Sequence, residues 1–138
     1  HMPKQFLNPP DLGALDGPYS QGVRSGNTIW VSAQAAQDAE GRIVGPNDPE
    51  AQCRAIFQRI GAVLAAGGAT PVDVVMVRGF LKHRDYIQAT WKVRKQFFGE
   101  HRPASTTLMV SDVEPAGALM SFEAVASLDE PAPEKVTA

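Results

Sequence analysis

Few side chains in this sequence have the types and spacing that demanding chemistry requires. The histidines are His1, His83 and His101, and no two stand at i, i+4 or at any short ligand spacing. The single cysteine, Cys53, cannot complete a thiolate-rich zinc site, which takes two to four thiolates, so no metal site is expected. Cys53 falls near the start of an expected helix, where the helix dipole lowers a thiol pKa. No base lies near it in sequence, which favours a small, half-buried filler. Neither Gly13-Ala14-Leu15-Asp16-Gly17 nor Ala66-Gly67-Gly68-Ala69-Thr70 has the spacing of a dinucleotide-binding or P-loop phosphate cradle.

The remaining bounds come from composition. At 138 residues the chain is one domain, and 43% apolar with 20% charged residues is neither a disordered tail nor a coiled coil. Thirteen basic against fifteen acidic residues leave a charge of -2, which offers no general attraction for nucleic acid. No apolar run is long enough to span a bilayer and the start lacks a signal-peptide pattern, so a soluble, cytoplasmic protein with no membrane partner is expected. His1-Met2 reads as a cloning remnant, residues 3–128 as the domain, and the proline-rich, charged stretch 129–138 as a flexible tail.

Glycine and proline punctuate the domain into short segments. Thr28 to Ser32 is a β-branched and aromatic run typical of a strand, with Gln21 to Arg24 as its hairpin partner across Gly26-Asn27. Asn47-Asp48-Pro49-Glu50 is a helix start, with Glu50 three residues after Asn47. Ile56, Ile60, Val63 and Leu64 then form one apolar face until Gly67-Gly68 stops the helix. Gly61 inside it points to close packing on a sheet. Asp73 to Lys82 reads as a central strand and Asp85 to Phe98 as a second helix, with Ile87, Trp91 and Phe98 near one face. Ser105 to Val110 and Leu119 to Ala126 close the chain as strands. This order predicts an α+β domain with two helices on one face of a mixed sheet. In the last strand Ala118, Met120, Phe122 and Ala124 would face the helices. Leu119, Ser121, Glu123 and Val125 would lie on the other face, a composition suited to a subunit interface with a polar site.

Three segments stand out together: Gly17-Pro18-Tyr19-Ser20-Gln21-Gly22, Val31-Ser32-Ala33-Gln34 and Arg102-Pro103-Ala104-Ser105-Thr106-Thr107. With the glycine-rich end of the first helix before Asp73-Val74-Val75, the pair Phe97-Phe98, and Glu123-Ala124-Val125-Ala126, the chain resembles the reactive-intermediate deaminase family (Rid, also called YjgF) from about Gly17 to Ala126. The resemblance implies a chorismate-mutase-like α+β fold assembled as a homotrimer with clefts between subunits. It also implies cofactor-free hydrolysis of enamines or imines to ammonia and a keto acid. Family deaminases clamp the substrate carboxylate with an arginine after Pro-Ala and position water with a glutamate in the last strand.

Both positions differ here. Ser105 stands where that arginine is expected and Ser121 where the glutamate is expected, while Glu123 matches the second acid of the family's Glu-x-Glu. Ala33 replaces the strand-end glycine, Trp91 an asparagine and Arg94 a tyrosine. The resemblance therefore suggests a substrate site with Tyr19, Ser32, Ala33, Trp91, Ser105, Thr107 and Ser121 around a small molecule, and Tyr19 and Glu123 as catalytic groups. Tyr19 would close over a ligand or serve as an interface aromatic; Glu123 would act on water or in an ion pair. The hydroxyls of Ser105, Thr107 and Ser121 would line a neutral cleft or be ordinary strand residues. Two arginines are candidates for the missing cation. Arg78 interrupts an apolar strand, with a salt bridge to Glu123 as its ordinary explanation. Arg94 lies three residues from Trp91, with solvated surface beside Lys92 and Lys95 as its ordinary explanation. The expected function is a Rid-type hydrolase or deaminase of altered specificity. The alternative is a non-catalytic binding or chaperone-like trimer.

Overall fold

A computed structural model describes residues 3–129. The expected cloning remnant and residues 130–138 of the expected tail lie outside the described residues. The first strand, β1 (Gln5–Leu7), runs through a segment for which the sequence analysis predicted no element. Then come β2 (Gly22–Ser25), β3 (Thr28–Gln34), α1 (Pro49–Ala66), β4 (Val74–Leu81), α2 (Ile87–Phe98), β5 (Ala104–Met109) and β6 (Met120–Ser127). The strands form one sheet in the order β1-β2-β3-β6-β4-β5. Only β4 and β5 pair in parallel, joined by α2 as the crossover that a parallel pair requires. Among the described residues no helix is long and apolar enough to cross a membrane.

Local chemistry explains the element ends. Asp48 caps α1, its side chain accepting from the Ala51 amide at 3.0 Å, with Pro49 at the first helical position. The cap is thus Asp48; Asn47, at φ 59°, turns the chain into it. Gly67 closes the helix, its amide reaching the Val63 and Leu64 carbonyls. Both helices lie on the sheet face made by Ile29, Val31, Val74, Val77, Leu81, Met120, Phe122 and Ala124. Phe57 of α1 is the centre of this layer: its ring lies 5.1 Å from Phe97, 5.9 Å from Phe98 and 5.1 Å from Phe122. Those edge and tilted contacts join both helices to β6.

Three expectations are corrected. A Cβ on Gly61 would meet Phe97 at 3.4 Å, so its close approach is to α2 and not to the sheet. Trp91 is 50% exposed and leaves the core to Thr90, Val93 and Phe98. Cys53, expected as a half-buried filler, is instead fully buried in the core.

Among the described residues, neither α1 nor α2 lies on the other sheet face. One row crosses all six strands in register: Phe6, Val23, Trp30, Val125, Met76 and Ala104. Phe6 is 71% and Trp30 48% exposed, so this apolar row is open. Beside it Glu123 pairs with Arg78, and one step further Ser121 pairs with Phe80 and Phe80 with Leu108.

Candidate functional site

The expected site residues divide between two pockets. The first, about 390 Å³, lies on the helix side at the outer edge of the sheet, between α2 and β5. Trp91, Arg94, Ser105 and Thr107 line it, together with Lys95, His101 and Arg102. No carboxylate is among its lining residues.

Arg94 organises this pocket. Its Nη2 donates to Ser105 Oγ at 2.8 Å, and its guanidinium carbon lies 6.0 Å above the Phe122 ring. Burial pushes its pKa below the ordinary value, an effect opposed by the nearby Cys53 thiol. Arg94 is therefore not solvated surface, because the helix turns it inward over an aromatic floor. That floor exists because β4 has Gly79 where Phe122 crosses: a Cβ there would lie 2.4 Å from the ring. Arg102 is spent on backbone, donating to the Gly99 and His101 carbonyls. His101 Nε2 lies 2.6 Å from the Val74 carbonyl, which fixes the proton on Nε2.

The second pocket, about 610 Å³, is a cup on the open face. Tyr19, Ser32, Ala33 and Ser121 line it, with Phe80 and the loop residues Asp112 and Glu114, none of which the sequence reading identified. Ser32 is tied to the tyrosine loop: its Oγ donates to the Ser20 carbonyl at 2.7 Å, and its amide to the Gln21 carbonyl at 2.9 Å. Gly17 makes room for Tyr19, since a Cβ would fall 2.4 Å from the ring. Arg78 Nη1 donates to Glu123 Oε1 at 2.9 Å, so the Arg78 charge is committed to that ion pair. Glu123 lies two residues along β6 from Ser121 on the same face.

The structure thus separates the predicted hydroxyl-rich cleft. Ser105 and Thr107 pair with Val77 and Gly79 and face the helices, whereas Ser121 pairs with Phe80 and faces away. Within the chain they lie on opposite sides of the sheet.

A family model described as Endoribonuclease L-PSP matches residues 12–128. The chain belongs to this family, also known as YjgF, RutC or Rid. Among similar proteins, a RutC family protein of Pyrococcus abyssi is 34% identical over 110 residues, covering 80% of this chain and 86% of the relative. A 2-iminobutanoate/2-iminopropanoate deaminase of Dermatophagoides farinae is 33% identical over 129 residues, covering 92% and 98%. The solved YjgF gene product of E. coli superposes with a TM-score of 0.82 at 28% identity, covering 90% and 98%. RidA from the Antarctic bacterium Psychrobacter gives 0.83 at 26%, covering 90% and 99%. The predicted chorismate-mutase-like α+β architecture is therefore the family's fold. On the helix side Ser105 accepts from the Arg94 guanidinium, and on the open face Ser121 lies two residues along β6 from the ion-paired Glu123.

Proposed function

We propose that the protein is a cofactor-independent hydrolase of small anionic imines or enamines, acting in clefts between the subunits of a homotrimer. The observation that carries this reading is the contact from Arg94 Nη2 to Ser105 Oγ, which supplies a cation at the place where the family arginine is missing. Three copies would cover the apolar row of Phe6, Val23, Trp30, Val125 and Met76. In doing so they would bring the cationic pocket of one protomer against the Tyr19 cup of its neighbour.

In this cleft Arg94, raised on Phe122 and Ser105, holds the substrate's anionic group, and Trp91 flanks it. Tyr19 of the neighbouring protomer closes over the ligand with its ring. The Ser121 hydroxyl holds a water, and Glu123, whose Oε2 has no protein partner among the described residues, takes a proton from it. The water oxygen bonds to the C=N carbon as the nitrogen gains a proton. The resulting carbinolamine loses its C–N bond, leaving a carbonyl compound and ammonia, with atoms balanced as imine plus water. Ser105, Thr107 and Ser121 make the cleft less charged than that of a RidA-type deaminase, so its specificity differs. The family's endoribonuclease description suits the chain less well. Its charge is -2, and the cations of the helix-side pocket, Arg94, Lys95 and Arg102, form a small cluster instead of a stripe.

The test is ammonia release from a panel of enzymatically generated enamines and imines, compared with buffer. Turnover that disappears in Arg94→Met and Glu123→Gln supports the reading. Ligand-induced thermal stabilisation with no turnover across the panel would instead favour the binding-only trimer.

A further inference from the structure

A third cavity, of about 520 Å³, lies behind Tyr19 on the helix side of the β3 end. Arg59 of α1 lines it, although the residue is only 8% exposed. Its Nε donates to Gln34 Oε1 at 2.9 Å and its Nη1 to the Gln37 carbonyl at 3.0 Å, both uncharged acceptors. Arg42, Arg54 and Arg78 each contact a carboxylate, but Arg59 makes no ion pair among the described residues. Its Nη2 has no protein partner there either. Among the described residues no fully buried side-chain nitrogen or oxygen is left unsatisfied, so Nη2 keeps some accessible surface, and Arg59 itself lines the cavity. A guanidinium withdrawn from water without a counter-charge is costly to fold around, so such a residue is usually found with an anion. Burial pushes its pKa below the ordinary value, as expected for a charge not yet compensated.

We propose that this cavity is a binding site for a small carboxylate, held in plane against the free edge of the Arg59 guanidinium. The fork of parallel N–H groups matches a carboxylate's two oxygens. Leu12, Leu15 and Ala35 offer a short hydrocarbon chain an apolar wall. Three acids also line the wall, Asp16, Asp38 and Glu40; Arg42 pairs with Asp38 at 3.2 Å and Glu40 at 3.5 Å, and the acids disfavour a doubly charged phosphate more than a singly charged carboxylate. The cavity shares Tyr19 and Ala33 with the open-face cup, and Gln34 Nε2 donates to the Ser32 carbonyl at 3.1 Å and to Gln21 Oε1 at 2.9 Å. An occupant would therefore rest against the same segment that carries Tyr19. The proposal does not depend on turnover in the cleft.

Acetate is the probe, titrated at constant ionic strength, with inorganic phosphate as the second arm. The Arg59 Nε–Hε resonance is expected to shift saturably with acetate, with a Kd on the order of 1 mM, and with phosphate only at about tenfold higher concentration. Arg59→Gln should weaken acetate-dependent thermal stabilisation at least about tenfold. Gln34→Glu supplies an internal carboxylate to Arg59 at the cost of the Nε2 hydrogen bonds to Ser32 and Gln21; with circular dichroism showing it folded, it should abolish the acetate response. No saturable shift of the Arg59 resonance, equal affinity for phosphate, or an unchanged acetate response in Gln34→Glu would overturn the site. Ammonia release is measured separately and bears on neither outcome.

Discussion

The two pockets of the proposed cleft are chemical opposites. The pocket at the α2–β5 edge has the cations Arg94, Lys95 and Arg102, an aromatic floor and no acid. The open-face cup has Tyr19, hydroxyls and the acids Asp112 and Glu114, while the nearby cation, Arg78, is consumed by Glu123. The first offers cations to hold an anion but no acid; the second offers acids and hydroxyls but no free cation to hold an anion. The sheet separates them within one chain, and the proposed trimer would bring them together by covering the apolar row on the open face with another copy.

The largest expected effect comes from uncovering that row. Trp30→Glu places a charge at its middle and should give a monomer by sedimentation, with deaminase activity at background. A monomeric variant that keeps wild-type activity would show that each pocket is self-sufficient. Next in size is the contrast between the arginines. Arg94→Met should lower kcat/KM about 100- to 1000-fold, the few kcal/mol typical of losing a charged anchor, while Arg78→Met should cost less than about tenfold. Equal losses would mean that the cation is not supplied from the helix side. Gly79→Ala is smaller. Its Cβ would strike Phe122, so unfolding in denaturant should show a loss of about 1–3 kcal/mol, with weaker anion binding as Arg94 loses its floor.

The smallest effect concerns Cys53. Burial pushes its thiol up to about 12, against a weaker opposing pull from Arg94 and then Arg54. The pocket's cation therefore does not create a thiolate nucleophile, and iodoacetamide should leave the native protein unmodified at pH 8. Because the folded value lies above the ordinary 9.0, the stabilising contribution is complete below about pH 9. It is lost as pH rises toward 12, by at most about 1.4 kcal/mol per pH unit. Rapid alkylation at pH 8 would contradict this.

The elements were largely legible because their signals are local. The Asp48-Pro49 start, the Ile56-Ile60-Val63-Leu64 face and the β-branched run of β4 depend on neighbours within a few turns of chain. The Arg78–Glu123 pair was legible too, since a charge in an apolar strand demands a partner. What sequence could not supply was sidedness at the edge strand. Ser105, Thr107 and Ser121 looked alike as strand hydroxyls, yet the parallel register of β4 with β5 sends the first two toward the helices. Arg94 was obscured by Lys92 and Lys95. Only the space left by Gly79, which lets Phe122 cross beneath it, shows why this cation turns inward. Arg59 gave no signal, because its unpaired state is defined by Gln34 and Gln37, more than twenty residues away.

The central claim is that one catalytic site takes its cation from one protomer and its water-handling groups from the next. Arg94→Met and Glu123→Gln proteins, each inactive alone, are mixed, unfolded and refolded together, and ammonia release is measured. Sharing predicts recovery toward about a quarter of the wild-type sites, since that fraction of interfaces joins an intact Arg94 to an intact Glu123. A mixture as inactive as its two components would contradict the account.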